Sequence, residues 1–133
     1  EKDYQQLIIV KKLVNILGMP ILIVGCSTHR DDNGLALSSR NKRLTTFERS
    51  YASKIYKILL STKELFQRQE LSEINSWVKD QFSKDPIIDL EYFEIANNST
   101  LKSTLIINQS TKYRAFIAVH INNVRLIDNI ALN

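Results

Sequence analysis

From residue 4 to residue 17, apolar side chains recur at helical spacing, with Leu7, Val10, Leu13, Val14 and Leu17 on one stripe. Asp3 stands where a helix N-cap or first-turn acid belongs, Gly18 supplies a C-terminal stop, and Pro20 forbids continuation. Ile21-Leu22-Ile23-Val24 follows as an uninterrupted apolar run closed by Gly25. Such a run predicts a strand covered on both faces, as in a parallel sheet. Helix, tight turn and buried strand together predict the tail of a doubly wound α/β unit.

The pattern stops between Cys26 and Leu44, where Ser27, Thr28, Asp31, Asp32, Asn33, Gly34, Ser38, Ser39 and Asn41 make the chain polar and turn-prone. Structureless segments of that length tend to be functional or disordered. Thr45 and Glu48 then form a capping-box pair that opens a helix with Phe47, Tyr51, Ile55, Ile58, Leu59 and Leu65 inward. A second helix, ending before Pro86, turns Leu71, Ile74, Trp77, Val78 and Phe82 inward. Beyond Pro86 the period changes to two. Ile88, Leu90 and Tyr92 predict one strand, Leu105-Ile106-Ile107 another short one, and Ala115, Ile117, Val119 and Ile121 a third. Asn122-Asn123 reads as a two-residue hairpin turn into Val124, Leu126 and Ile130, because Asn tolerates positive φ. Two helices and then a run of antiparallel strands make the second part of the chain a small α+β domain. The fold expected for it is helices packed on a three-stranded antiparallel sheet, without the short 105–107 run as a full member.

Composition narrows the function classes. The 133 residues have room for one domain, or one small domain plus part of another. No apolar run approaches the roughly 20 residues needed to span a bilayer, and the opening Glu1-Lys2-Asp3-Tyr4 shows no signal peptide. The single cysteine, Cys26, excludes an intrachain disulfide and a multi-cysteine zinc site, and favours a cytoplasmic setting. Lys and Arg exceed Asp and Glu by 18 to 14, which suits an anionic partner such as a nucleotide phosphate or a nucleic acid. The cations are scattered, so charge alone decides nothing.

Three polar clusters lie outside the packing pattern. Glu1-Lys2-Asp3 with Gln5 and Gln6 opens a helix, where free N–H groups and the dipole attract phosphate. Gly34 through Asn41, following Thr28-His29-Arg30, puts two hydroxyls and a guanidinium fork in one loop, a set that could grip a polyphosphate. The plainer reading is that Ser38 and Ser39 satisfy local backbone groups. Asp128 and Asn129 alternate with apolar residues at the end of a strand, where such side chains usually satisfy backbone or a basic neighbour. With His29, His120 and Cys26 alone, neither a zinc constellation nor a Cys/His triad can be assembled, and no Walker-type loop exists.

Three segments, Glu1-Lys2-Asp3-Tyr4-Gln5-Gln6, Asp32-Asn33-Gly34-Leu35-Ala36-Leu37-Ser38-Ser39-Arg40-Asn41 and Arg125-Leu126-Ile127-Asp128-Asn129-Ile130, resemble the pantothenate synthetase (pantoate–β-alanine ligase) family in order and register. Leu37-Ser38-Ser39-Arg40-Asn41 looks like the second signature loop of class I aminoacyl-tRNA synthetases. The resemblance implies the end of a Rossmann-like nucleotide-binding domain at 1–28 and a C-terminal lid domain at 29–133. It also implies an incomplete part of a longer enzyme, inactive alone because the catalytic histidine lies outside it.

The implied activity is ATP-dependent condensation of pantoate with β-alanine through a pantoyl adenylate, in a cytoplasmic homodimer with Mg2+, and without nucleic acid or membrane. By resemblance, Lys2, Ser39 and Arg40 are catalytic through phosphate and transition-state charge. Glu1, Lys2, Asp3, His29, Leu37, Ser38, Ser39 and Arg40 would bind ATP, Gln6 would bind pantoate, and no residue is assigned to a metal. Ser27 and His29 depart from the family, which often has proline and an aliphatic residue there; a main-chain contact from His29 to adenine tolerates the change. The rival from another class is a basic α+β nucleic-acid-binding module, against which stands the lack of interleaved aromatic and basic residues on the strands.

Overall fold

A computed structural model describes residues 1–104 and 106–133. Helix α1 runs Tyr4–Ile16, followed after a long irregular segment by a short 3-10 turn at Ser39–Arg43. Helices α2 (Thr46–Tyr51), α3 (Ser53–Leu65) and α4 (Leu71–Ser83) lead into strands β1 (Ile88–Asn97), β2 (Tyr113–Ile121) and β3 (Val124–Ala131). The strands form one antiparallel sheet in the order β1-β2-β3.

Helix α1 ends as its sequence requires. Gly18 takes φ +60, its N–H donates to Asn15, and the N–H of Met19 reaches back to Val14, the paired bonds of a Schellman stop. The start differs from expectation, because Asp3 occupies the N-cap position without a side-chain cap bond. Thr45 and Glu48 form the expected capping box at α2. The single helix expected there is broken at Ala52 into α2 and α3, and Phe47 is exposed against expectation.

Alternate residues of the sheet face two different neighbours. Ala115, Ile117, Val119 and Ile121 of β2 join Leu59 of α3, Ile74 and Val78 of α4, and Leu126 in the main core. On the opposite face, Phe116 and Ala96 pack against Tyr4 of α1 in a smaller cluster. Ladder pairing runs Ile88↔Ile121 to Asn97↔Tyr113, with a bulge between Leu90 and Tyr92. The β2–β3 hairpin closes at Ile121↔Val124, and Asn122 carries the positive φ of +49 that its turn needs.

Two strand expectations fail. Residues 21–24 are not in a strand, and Leu22 is 86% exposed. A parallel strand exists by virtue of ladder partners on its flanks, and none of the described residues lies there to supply them. The expected strand at 105–107 is likewise missing at Ile106 and Ile107, which are exposed, while Leu105 lies outside the described residues.

Candidate functional site

The first candidate segment, Glu1 to Gln6, is fixed to the sheet by main chain. The Asn129 amide nitrogen donates to the carbonyls of Glu1 at 3.1 Å and Lys2 at 2.8 Å. Arg114 supports it from the neighbouring strand: its guanidinium lies 3.8 Å from the Tyr4 ring centre, donates to the side chains of Asn98 and Asn129, and pairs with Glu1. Lys2 is left half-buried and joins no ion pair among the described residues. Lys2, Asp3, Gln6, Asp128 and Asn129 border a hollow of about 130 Å³ between α1 and the sheet. Ligand pockets typically reach about 300 to 1,000 Å³, so this one alone is too small for a nucleotide. A more open hollow on the other side of the helix start is bordered by Glu1, Lys2, Asp3, Gln6 and Cys26.

The second segment is organised by its own side chains. Asp31 folds the turn by accepting from the N–H groups of Asn33 and Leu35, and Gly34 takes φ +90 beneath the Tyr56 ring. Arg30 and Ala36 then form a two-residue bridge, in which the His29 carbonyl accepts from Leu37 N–H. Ser38 caps the 3-10 turn by accepting from Arg40 N–H, and its hydroxyl donates to buried Asn41, which in turn donates to the Ala36 carbonyl. For Ser38 the plain local role is therefore present. Ser39 and Arg40 are exposed, and the Arg40 guanidinium enters no ion pair among the described residues.

The structure gathers Glu1, Lys2, Asp3 and Gln6 at one place, and Leu37, Ser38 and Ser39 at another, where they border a separate hollow with Lys42 and Arg49. His29 and Arg40 border none of these hollows. What joins the two segments is β3. Asp128 receives both terminal nitrogens of Arg30, at 2.5 and 2.9 Å, beside Asn129 with its hold on Glu1 and Lys2. The sequence pattern placed Arg30 only among the cations of the polar loop and gave Arg114 no role. The available signal was Arg114 itself, a charge inside the apolar run of a central strand, which demands partners.

Among the described residues no three His, Cys, Asp or Glu side chains gather into a metal-binding group. These residues therefore build no cage for Mg2+, an ion that usually keeps waters and enters on substrate phosphates. The sheet does not favour the rival reading either: of its aromatic residues Tyr113 and Phe116 are buried, while the half-buried Tyr92 and Phe93 pack against the smaller cluster and the main core from opposite faces of β1. No helix of the described residues is long and apolar enough to cross a membrane.

The family model for pantoate-beta-alanine ligase matches residues 1–131. The pantothenate synthetase of Christiangramia forsetii is 47% identical over 133 residues, 100% of this chain and 47% of that relative. That of Flavobacterium psychrophilum is 48% identical over 132 residues, 99% of this chain and 47% of the relative. Among solved structures, pantothenate synthetase from Thermus thermophilus superposes with a TM-score of 0.88 at 34% identity, covering 99% of this chain and 48% of the other. A pantoate-beta-alanine ligase from Francisella tularensis, complexed with beta-gamma ATP and beta-alanine, gives a TM-score of 0.61 at 32% identity, covering 99% of this chain and 41% of that one. The chain spans about half the length of the curated relatives it matches.

Proposed function

The chain belongs to the pantoate-beta-alanine ligase family, and on that premise we propose that the protein carrying it condenses pantoate with β-alanine at the expense of ATP. The pantoate carboxylate attacks the α-phosphate, the bond to the β-phosphate breaks, and pyrophosphate leaves. The β-alanine amine then attacks the acyl carbon of the pantoyl adenylate, loses a proton and releases AMP. Residues 1–28 are the end of the nucleotide-binding domain and 29–133 the lid, in a cytoplasmic homodimer.

Positioning and electrostatics carry such chemistry. Lys2, next to the N-terminus of α1, offers a cation beside free helix N–H groups, and ATP phosphates are its natural counter-charge. Asp3 and Glu1 border the nucleotide, and Gln6, two residues into the helix beyond Tyr4, hydrogen-bonds pantoate. The main chain of His29 meets adenine, while Leu37, Ser38 and Ser39 present the phosphate loop. Arg40 stabilises charge that builds on the phosphoryl oxygens, where a guanidinium fork acts bidentately. Mg2+ bound to the phosphates would shield their charge.

The observation that carries this reading is the family match over residues 1–131, combined with a half-buried Lys2 and an exposed Arg40 that no carboxylate neutralises among the described residues. The test is AMP release by the full-length protein given ATP, pantoate and β-alanine. Release that requires all three substrates is expected, and the 133-residue chain by itself is expected to release none. Release independent of pantoate, or sub-micromolar RNA binding at physiological salt with no response to ATP, would replace the ligase by another activity.

A further inference from the structure

The geometry points to Asp128 and Asn129 as positioning residues of the ligase proposed above, setting the spacing between the two phosphate-facing segments from opposite faces of one strand. The inference rests on that reading. Asp128 pairs across the ladder with Ile117, on the main-core face, and Asn129 with Phe116, on the α1 face. Neighbouring strand residues point to opposite sides, so the two side chains reach two different segments from adjacent positions.

On the core face, Asp128 holds both terminal nitrogens of Arg30. The same guanidinium donates to the Gly34 carbonyl at 3.0 Å and lies 3.7 Å from the Tyr56 ring centre. Arg30 is therefore clamped in its plane and along its edge, and through its bridge to Ala36 it sets where Leu37 to Arg40 begin. On the other face, Asn129 spends its amide nitrogen on the carbonyls of Glu1 and Lys2 and its oxygen on Arg114. The start of α1, with Lys2, cannot shift without breaking those bonds.

Stability alone does not call for this pair. Asp128 and Asn129 are 5% and 4% exposed, and apolar residues of similar volume often serve stability as well as a buried polar pair or better. What an apolar pair would lose is direction. One residue step along β3, about 3.3 Å, separates the two anchor points, so Lys2 and the Ser39-Arg40 loop keep a set separation before any nucleotide arrives. Misplacement by about 1 Å can cost on the order of 100-fold in rate.

The test uses full-length protein and pantoate-dependent exchange of labelled pyrophosphate into ATP, with Asp128→Asn, Asn129→Ala, Arg30→Ala and the Arg30→Ala/Asp128→Asn double variant. Each single variant is expected to lower the exchange kcat by about 100-fold, with a smaller change in KM for ATP, and the double variant to lose no more than Arg30→Ala. Independently, amide hydrogen exchange in ligand-free protein should quicken at residues 35–41 in Asp128→Asn and at residues 7–10, the first bonded N–H groups of α1, in Asn129→Ala, with β2 and β3 unchanged. Exchange kcat and amide protection at wild-type levels overturn the inference. So does a loss explained by lowered melting temperature with normal turnover per folded molecule. If the wild-type protein performs no pantoate-dependent exchange, the ligase reading fails, and amide protection alone then confirms or overturns the positioning of the two segments.

Discussion

Replacing Asp85 should unfasten the turn from α4 to β1, by an amount that the surrounding bonds allow to be worked out. One carboxylate oxygen accepts from the N–H groups of Ile87 and Ile88, both at 2.9 Å, and the other from Lys54 at 2.6 Å and the Tyr51 hydroxyl at 3.1 Å. The side chain is fully buried, while that of Lys54 keeps 29% exposure. Asp85→Ala strands the N–H of Ile88, a residue 1% exposed, at about 1–3 kcal/mol, and the half-exposed Ile87 N–H at about 1 kcal/mol. The ammonium can turn toward water and retains the Gln81 carbonyl at 2.7 Å, so its loss is small. The total is about 2–4 kcal/mol. Asp85→Asn keeps an acceptor for both N–H groups and should lose about 1 kcal/mol.

The pH dependence of that difference has a definite sign. Burial pushes the Asp85 carboxyl up, but the Lys54 ammonium, the Ile88 and Ile87 N–H groups and the Tyr51 hydroxyl together hold it below its ordinary value. A depressed folded pKa contributes stability that is present above the unfolded value, about 3.9, and lost as pH falls through the folded value. Denaturant titrations followed by Trp77, the one tryptophan of the 133 residues, should show the Asp85→Asn deficit at pH 7 shrinking below about pH 4. An equal deficit at pH 3 and pH 7 would refute the electrostatic reasoning. An Asp85→Ala variant within about 0.5 kcal/mol of wild type would refute the orphaned-donor account.

Three further outcomes are expected. Arg40→Ala in the full-length protein should lower adenylation turnover by about 100- to 1,000-fold with a smaller change in ATP affinity, and Arg40→Lys should recover only part of it, as single-turnover kinetics can measure. Gly34→Ala should disorder the loop, because its φ is +90 and the new Cβ would sit 2.6 Å from Tyr56 Cδ1; faster amide exchange at 31–37 and lost turnover would register it. Asn122→Val should cost about 1–2 kcal/mol by forcing a β-branched residue to positive φ, whereas Asn122→Gly should stay close to wild type in the same denaturant titration.

Local chemistry made most of the helical fold legible. Gly18 stops α1, Thr45 with Glu48 starts α2, and Asn122 turns the hairpin, each through bonds between near neighbours in sequence. What escaped depends on distant partners. The apolar run at 21–24 has the composition of a buried strand, yet composition supplies no ladder, and the segment stays unpaired among the described residues. The break at Ala52 escaped for the opposite reason: helical spacing runs through it unbroken, and only the geometry separates α2 from α3. β1 extends to Asn97, five residues past the alternation that announced it, because a bulge at Leu90/Tyr92 shifts the phase and breaks the period-two signal.

The candidate site divides along the same line. The candidate phosphate ligands, Lys2 at a helix start and Ser39-Arg40 in a polar loop, stood out as residue types outside the packing pattern, and their proposed roles came from the family resemblance. Their support was not, because it is long-range: 98 residues separate Arg30 from Asp128, and 127 separate Lys2 from Asn129. Asp128 and Asn129 looked like residues that satisfy neighbours, and they do so; the informative fact is which neighbours. A carboxylate that satisfies the base of one loop, next to an amide that satisfies the start of α1, ties both segments to one strand. Holding the chain and placing Lys2 and Arg40 would require the same bonds from such a pair, so a measurement that separates folding from turnover is what distinguishes the two.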